Sequence, residues 1–283
     1  MTEQALTFGP DDALVGVFAK PATAKASAPV VLLTNAGVLP RQGAHRMNVK
    51  IARALAEKGI ASLRFDLSGN GDSLSIGNTD GVIAQARNDF KSAMDWVQSN
   101  AGASSFLVFG VCSSAVHAYN IALADSRVAG LLMFDGFWYR SRFTTIVRDL
   151  KRAADGDWAS RFAAIKRRLT TAQIEAAPQE ESADLLAANN PFGSPPLADY
   201  TAALQTLVDR GTDIYILYGG SVIDSYSYAG QFKDVFGDEP FYPHVRCEYH
   251  PDIDHTFISR HGQKKMVRLA CDWVSAHNSR AKA

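Results

Sequence analysis

The stretch LVFGVCSSAVHAY, residues 107–119, decides how the rest of the chain is read. A hydrophobic run stops at Gly110, Cys112 follows among small residues, and apolar, helix-tolerant residues then resume. The pattern predicts a strand passing through a tight turn into a helix from about Ser114 to Ala124, with one cysteine at the helix start. A thiol in that place is either a nucleophile, because a helix N-terminus favours thiolate, or a small apolar residue packed under a sheet.

The neighbouring sequence supplies a frame. ALVGVFAKP and PVVLLTNAG read as strands joined through the hairpin ATAKASA, and HRMNVKIARALAEKG reads as a helix stopped at Gly59. IASLRFDL is the next strand. GVIAQARNDFKSAMDWVQSN is the clearest helix, with Ile83, Ala86, Phe90, Met94 and Val97 on one stripe. VAGLLMFDG, TDIYILYGG and HVRCEYH complete the strands, and GQKKMVRLACDWVSAH forms a closing helix. Such alternation predicts an α/β fold, a mostly parallel sheet with helices on its faces. Residues 138–195 break the rhythm with three helical stretches, FTTIVRDLKRAA, WASRFAAIKRRL and ESADLLAA, and the loop NNPFGSPP. They are expected to form a helical cap inserted into a core made of residues 1–137 and 196–283.

The 283 residues are 47% hydrophobic, enough for a large core without disulfides or metals. Twenty-nine basic and 29 acidic side chains balance, so overall charge gives no reason to expect nucleic acid or an anionic membrane as partner. No apolar run approaches the roughly 18 residues of a membrane span. Three cysteines, and an opening without a basic start and apolar run, lead to the expectation of a reduced, cytoplasmic protein.

In an open parallel sheet, ligands bind at the carboxyl ends of strands. The residues ending the apolar runs here are Thr34-Asn35-Ala36-Gly37, Gly110 to Ala115, Gly219 to Asp224, and Asp252 to Phe257. Taken together they resemble the α/β-hydrolase fold across nearly the whole chain outside the cap. Gly110-x-Cys112-x-Ser114 stands where that family has its nucleophile elbow, with serine where the second glycine is usual. The string Asp66, Gly69, Gly71, Ser73 in RFDLSGNGDS is similar to the family's D-x-x-G-x-G-x-S turn, whose role is structural. A dinucleotide fingerprint would need a third glycine where Leu74 stands. The sequence looks like a bacterial branch that carries cysteine in the elbow, similar to exosortase-system-associated hydrolases.

The resemblance implies a Cys-His-Asp triad of Cys112, His255 in DHTF, and Asp224, with Asp135 in MFDGFW as the alternative acid. It also implies an oxyanion hole from the backbone of Ser113, Asn35 and Ala36. Trp138 and Tyr139 at the start of the cap, and His117 on the helix after the elbow, are candidate substrate-binding residues. Cys247 and Cys271 read as core. A zinc site from His244, Cys247, His250 and His255 is disfavoured, since a spacing of three puts 244 and 247 on opposite faces of a strand. Neither metal nor organic cofactor is expected.

The expected activity is acyl hydrolysis, as a thioesterase or esterase, through a Cys112 acyl-enzyme. Thiolate attack on a thioester exchanges one thioester for another, so cysteine favours thioesters and activated esters. The alternative enzyme is an acyltransferase passing the group from CoA or a carrier protein to an amine or alcohol. The basic cap residues Arg140, Arg142, Arg148, Lys151, Arg152, Arg161, Lys166, Arg167 and Arg168 would dock such an anionic donor, unless they only form a solvated helix face. The non-enzyme alternative is a binding protein on the same fold.

Overall fold

The central strands are mostly apolar because both faces of the sheet are covered. In the computed structural model, which describes residues 1–24, 28–34, 36–77, 80–155 and 190–280, Val30–Thr34 is buried throughout. Phe106 and Val108 of Phe106–Val111 enter one core layer, while Leu107 and Phe109 enter the other. This two-sided burial is what a continuous hydrophobic run records.

Eight strands form one sheet: β1 Thr2–Phe8, β2 Leu14–Lys20, β3 Val30–Thr34, β4 Ser62–Phe65, β5 Phe106–Val111, β6 Val128–Phe134, β7 Asp213–Gly219 and β8 Val245–His250. Their order is β1-β2-β4-β3-β5-β6-β7-β8. The β1–β2 and β2–β4 pairs are antiparallel and all later pairs parallel. Among the described residues the α-helices are α1 Met47–Glu57, α2 Val82–Ala101, α3 Ser113–Ala124, α4 Thr144–Asp155, α5 Leu197–Asp209, α6 Gln231–Phe236 and α7 Arg260–Arg280. One layer packs α2 and α3 over Phe65, Phe90 and Met94, and the other packs α1 and α7 over Ile51, Leu55 and Trp273.

Two expectations change. β2 and β3 are not a hairpin: β2 pairs with β1 and β4, while both edges of β3 are taken by β4 and β5. β1 and α5 are additional elements. β1 is an edge strand exposed on nearly every residue, so it carries no hydrophobic period. Of the expected cap helices, α4 is described, whereas WASRFAAIKRRL and ESADLLAA lie outside the described residues.

The crossover from β3 runs to β4 on one side, and the crossover from β5 runs to β6 on the other. The carboxyl ends of β3 and β5 therefore flank the point where the winding reverses, which is where open α/β sheets form a crevice. The DLSGNGDS turn supports one wall. Asp66 is fully buried and accepts the N–H groups of Arg41 and Asp72, while the Ser73 hydroxyl donates to the Asp66 carbonyl and accepts from the Val15 N–H.

Candidate active site

The turn between β5 and α3 is sterically forced. A Cβ on Gly110 would lie 2.6 Å from the Cα of Ala115 and against the Ser114 carbonyl, so no larger residue fits. Cys112 takes φ 56° and ψ −125°, a conformation that costs a non-glycine residue about 1–3 kcal/mol. Several bonds hold it there: the Cys112 N–H donates to the Phe134 carbonyl at 3.0 Å, and the Ala115 N–H to the Cys112 carbonyl at 2.9 Å. The Ser114 hydroxyl accepts from the Val111 N–H at 2.7 Å and donates back to the Val111 carbonyl at 3.0 Å. Serine at the second small position thus clamps the turn, a role the sequence pattern left unassigned.

The sulfur of Cys112 lies beside the His255 ring and the Ser113 N–H, both of which favour its thiolate. His255 sits in the loop after β8, its own N–H donating to the Ser221 hydroxyl at 3.0 Å. Its Nδ1 lies 2.8 Å from Oδ2 of Asp135, leaving Nε2 to face the sulfur. Asp135 follows β6 directly at φ 49°, its side chain wholly buried. The Gly219 N–H donates to its Oδ1 at 2.7 Å, and the Asp135 N–H donates to the Leu217 carbonyl at 2.9 Å. A Cβ on Gly219 would come within 2.6 Å of the Ile253 carbonyl and 3.2 Å of Asp135 Oδ2, so glycine makes room for the carboxylate.

Electrostatics follow from these contacts. The hydrogen bond and charge of His255 hold the Cys112 thiol below its ordinary value, against the opposing pull of burial. Asp135 and Cys112 together raise His255 to about 10. Both shifts favour a thiolate–imidazolium pair at neutral pH. Cys247 and Cys271 go the other way, pushed by burial up to about 12 and about 11.

Asp224, the first candidate acid, is not beside His255. Its carboxylate is 57% exposed and bound by Arg152 at 2.6 and 2.9 Å. After Gly219 the chain turns through Gly220–Val222, and this carries Asp224 to α4 instead of back over the sheet. The geometry brings Cys112, His255 and Asp135 together.

Of the expected oxyanion groups, Asn35 lies outside the described residues, and Ala36 is half-buried. The Gly37 N–H donates to the Ser113 hydroxyl at 2.7 Å, tying the β3 turn to the elbow. Trp138 and His117 line the main cleft, with the His117 ring edge-to-face on Phe192 at 5.4 Å. Tyr139 does not line it. Its ring stacks on Tyr200 and its hydroxyl donates to the Pro195 carbonyl at 2.7 Å, so it packs the segment after β6 onto α5.

Two cavities meet at Cys112 and His255. The wide cleft, 1180 Å³, opens toward Trp138, Phe192 and α2. A second of 280 Å³ is lined largely by apolar groups, including Leu39, Met47, Val111 and Phe257. Among the described residues no group of three or more His, Cys, Asp and Glu side chains is placed to hold a metal. No described helix is long and apolar enough to cross a membrane. On α4, Arg152 pairs with Asp224, Arg148 with Asp149, and Lys151 donates to the Ser227 carbonyl. Arg161, Lys166, Arg167 and Arg168 lie outside the described residues.

No protein-family description matches the sequence, and no curated protein matches it. Solved structures do resemble it. A Pyrococcus furiosus esterase superposes with TM-score 0.59 at 14% identity, covering 97% of this chain and 91% of that one. A proline iminopeptidase of Mycobacterium smegmatis gives 0.56 at 14% identity over 99% and 100%. A lidless α/β serine hydrolase of Xanthomonas campestris gives 0.54 at 15% over 98% and 95%. The chain has the α/β-hydrolase fold.

Proposed function

We propose that this protein is an acyl hydrolase acting on esters or thioesters through a covalent Cys112 thioester, in the manner of a cysteine-nucleophile branch of the fold. The observation that carries the reading is the continuous chain from Cys112 sulfur through the His255 ring to the buried Asp135 carboxylate. Catalytic machinery of this kind needs a nucleophile, a base and an orienting acid in hydrogen-bond sequence. The large cleft beginning at that sulfur offers room for a substrate.

The proton accounting is simple. The Cys112 thiolate attacks the acyl carbon, and the carbonyl electron pair becomes an oxyanion. The Ser113 N–H, beside the sulfur, is a backbone donor available for that charge. Collapse expels the leaving thiolate or alkoxide, which takes the proton from His255 Nε2. Water then enters, gives a proton back to His255 and attacks the thioester; collapse returns the Cys112 thiolate beside imidazolium. Asp135 fixes the imidazole tautomer and ring orientation throughout.

The second, apolar cavity at the same sulfur favours a further reading, acyl transfer, because an alcohol or amine with an apolar body could sit there and replace water. A panel of acyl thioesters of N-acetylcysteamine, read by intact-protein mass spectrometry, tests the proposal. An acyl adduct mapping to Cys112, absent in Cys112→Ala, is expected; labelling that survives the substitution overturns it. Adding alcohols and amines separates the two outcomes: free acid alone rules out transfer.

A further inference from the structure

The wide cleft carries a charged group that the proposed triad leaves unused. Asp89, on α2, is 1% exposed, yet it lines the same cavity as Cys112 and His255. Its oxygens each take one donor: the Ser68 N–H reaches Oδ2 at 2.8 Å and the Gln85 amide reaches Oδ1 at 2.7 Å. Both donors are neutral. No arginine or lysine among the described residues forms an ion pair with it. A carboxylate has about four acceptor sites, so two remain.

Burying a carboxylate without a counter-charge is expensive, and desolvation raises the Asp89 pKa accordingly. The Ser68 N–H alone does not require this charge: an asparagine oxygen would accept it, though in a weaker bond than a carboxylate makes. A carboxylate is what a cation requires. The Asp89–Ser68 contact joins α2 to the end of β4, two strands along the sheet from β5, hence about 10 Å from the elbow at ordinary strand spacing. The cleft connects the two places.

We propose that Asp89 is a specificity determinant, and that the acyl substrate bears a primary ammonium group that pairs with it inside the cleft. This inference rests on Cys112 being the acyl acceptor, so the tests are arranged to fail separately. The native protein is given 8-aminooctanoyl and nonanoyl thioesters of N-acetylcysteamine, identical except for ammonium against methyl. It is also given nonanoyl thioesters of 6-aminohexanethiol and heptanethiol, which move the ammonium to the leaving group. In one pair the ammonium member should be favoured in kcat/KM by about tenfold or more, the worth of one charge-assisted hydrogen bond. The difference should appear in KM.

Asp89→Asn should abolish that preference while the uncharged probe keeps its rate. Equal losses on both probes would mark Asp89 as a loop brace only, and no preference in either native pair overturns the inference without any variant. Calorimetry with octylammonium and 1-octanol gives the independent arm. Octylammonium should bind more tightly than octanol to both the native protein and Cys112→Ala, but not to Asp89→Asn. That binding without any acyl adduct would retain the ammonium site and refute the nucleophile; equal binding of the two ligands would refute the site.

Discussion

Asp135 and Asp224 start from nearly the same position in the sequence logic, each closely following a parallel strand. Asp135 leaves β6 and is buried against the Gly219 N–H and His255; Asp224 lies five residues beyond β7, more than half exposed, against Arg152. The difference shows that being near a strand end is not enough. What selects Asp135 is register: β6 and β7 align Phe134 with Leu217, so Asp135, the residue after β6, stands opposite Tyr218, and its carboxylate reaches the N–H of Gly219, where the absence of a side chain leaves space for it.

The largest expected effect breaks or keeps this contrast directly. Asp135→Asn should lower the rate of Cys112 acylation by about 100- to 10,000-fold, through loss of the correct imidazole tautomer. Stopped-flow acylation measures it, and an equal loss in Asp224→Asn would collapse the distinction. The next effect is on pH. Because the Cys112 pKa is lowered and that of His255 is raised to about 10, thiolate should persist below the ordinary thiol midpoint of about 8.5. Iodoacetamide alkylation at neutral pH should therefore map to Cys112 and spare Cys247 and Cys271, whose thiols are held protonated. His255→Ala should move the Cys112 midpoint upward, with the rate at neutral pH falling; an unmoved midpoint would remove histidine as the cause.

A smaller effect concerns the elbow. Ser114→Ala strips the Val111 N–H of its partner and should cost about 1–3 kcal/mol, seen as a lowered melting temperature. The smallest is Asp224→Asn. Its exposed pair with Arg152 should contribute only about 0–1 kcal/mol, less at high salt, with acylation rates nearly unchanged. A large activity loss there would show that Asp224 does more than tether α4.

Much of the fold was legible because the central strands are apolar on both faces, and helices such as α2 carry a stripe the sheet must cover. Cys112 and His255 were legible because each stands in a local motif. Asp135 was visible only as an alternative, since the choice depends on a contact between strands rather than on spacing along one. β1 was illegible for another reason: exposed on both faces, it has no pattern to read. α5 did leave a signal, Tyr200, Leu204 and Leu207 at positions i, i+4 and i+7, all buried. Asp89 shares the buried face of α2 with Ala86, Phe90 and Ala93, where a charge reads as a break in the apolar stripe; only the fold shows the cleft beside it.

The glycines around the sulfur carry a consequence for genetics. At Gly110 and Gly219 any added carbon collides with main-chain atoms. A saturation screen scored on turnover would rank both beside Cys112 and His255, although neither has a side chain to offer the chemistry. Scoring protein abundance in parallel would sort them. Gly110 and Gly219 substitutions should deplete the folded protein, while conservative replacements of Cys112 should leave it at full yield and silent.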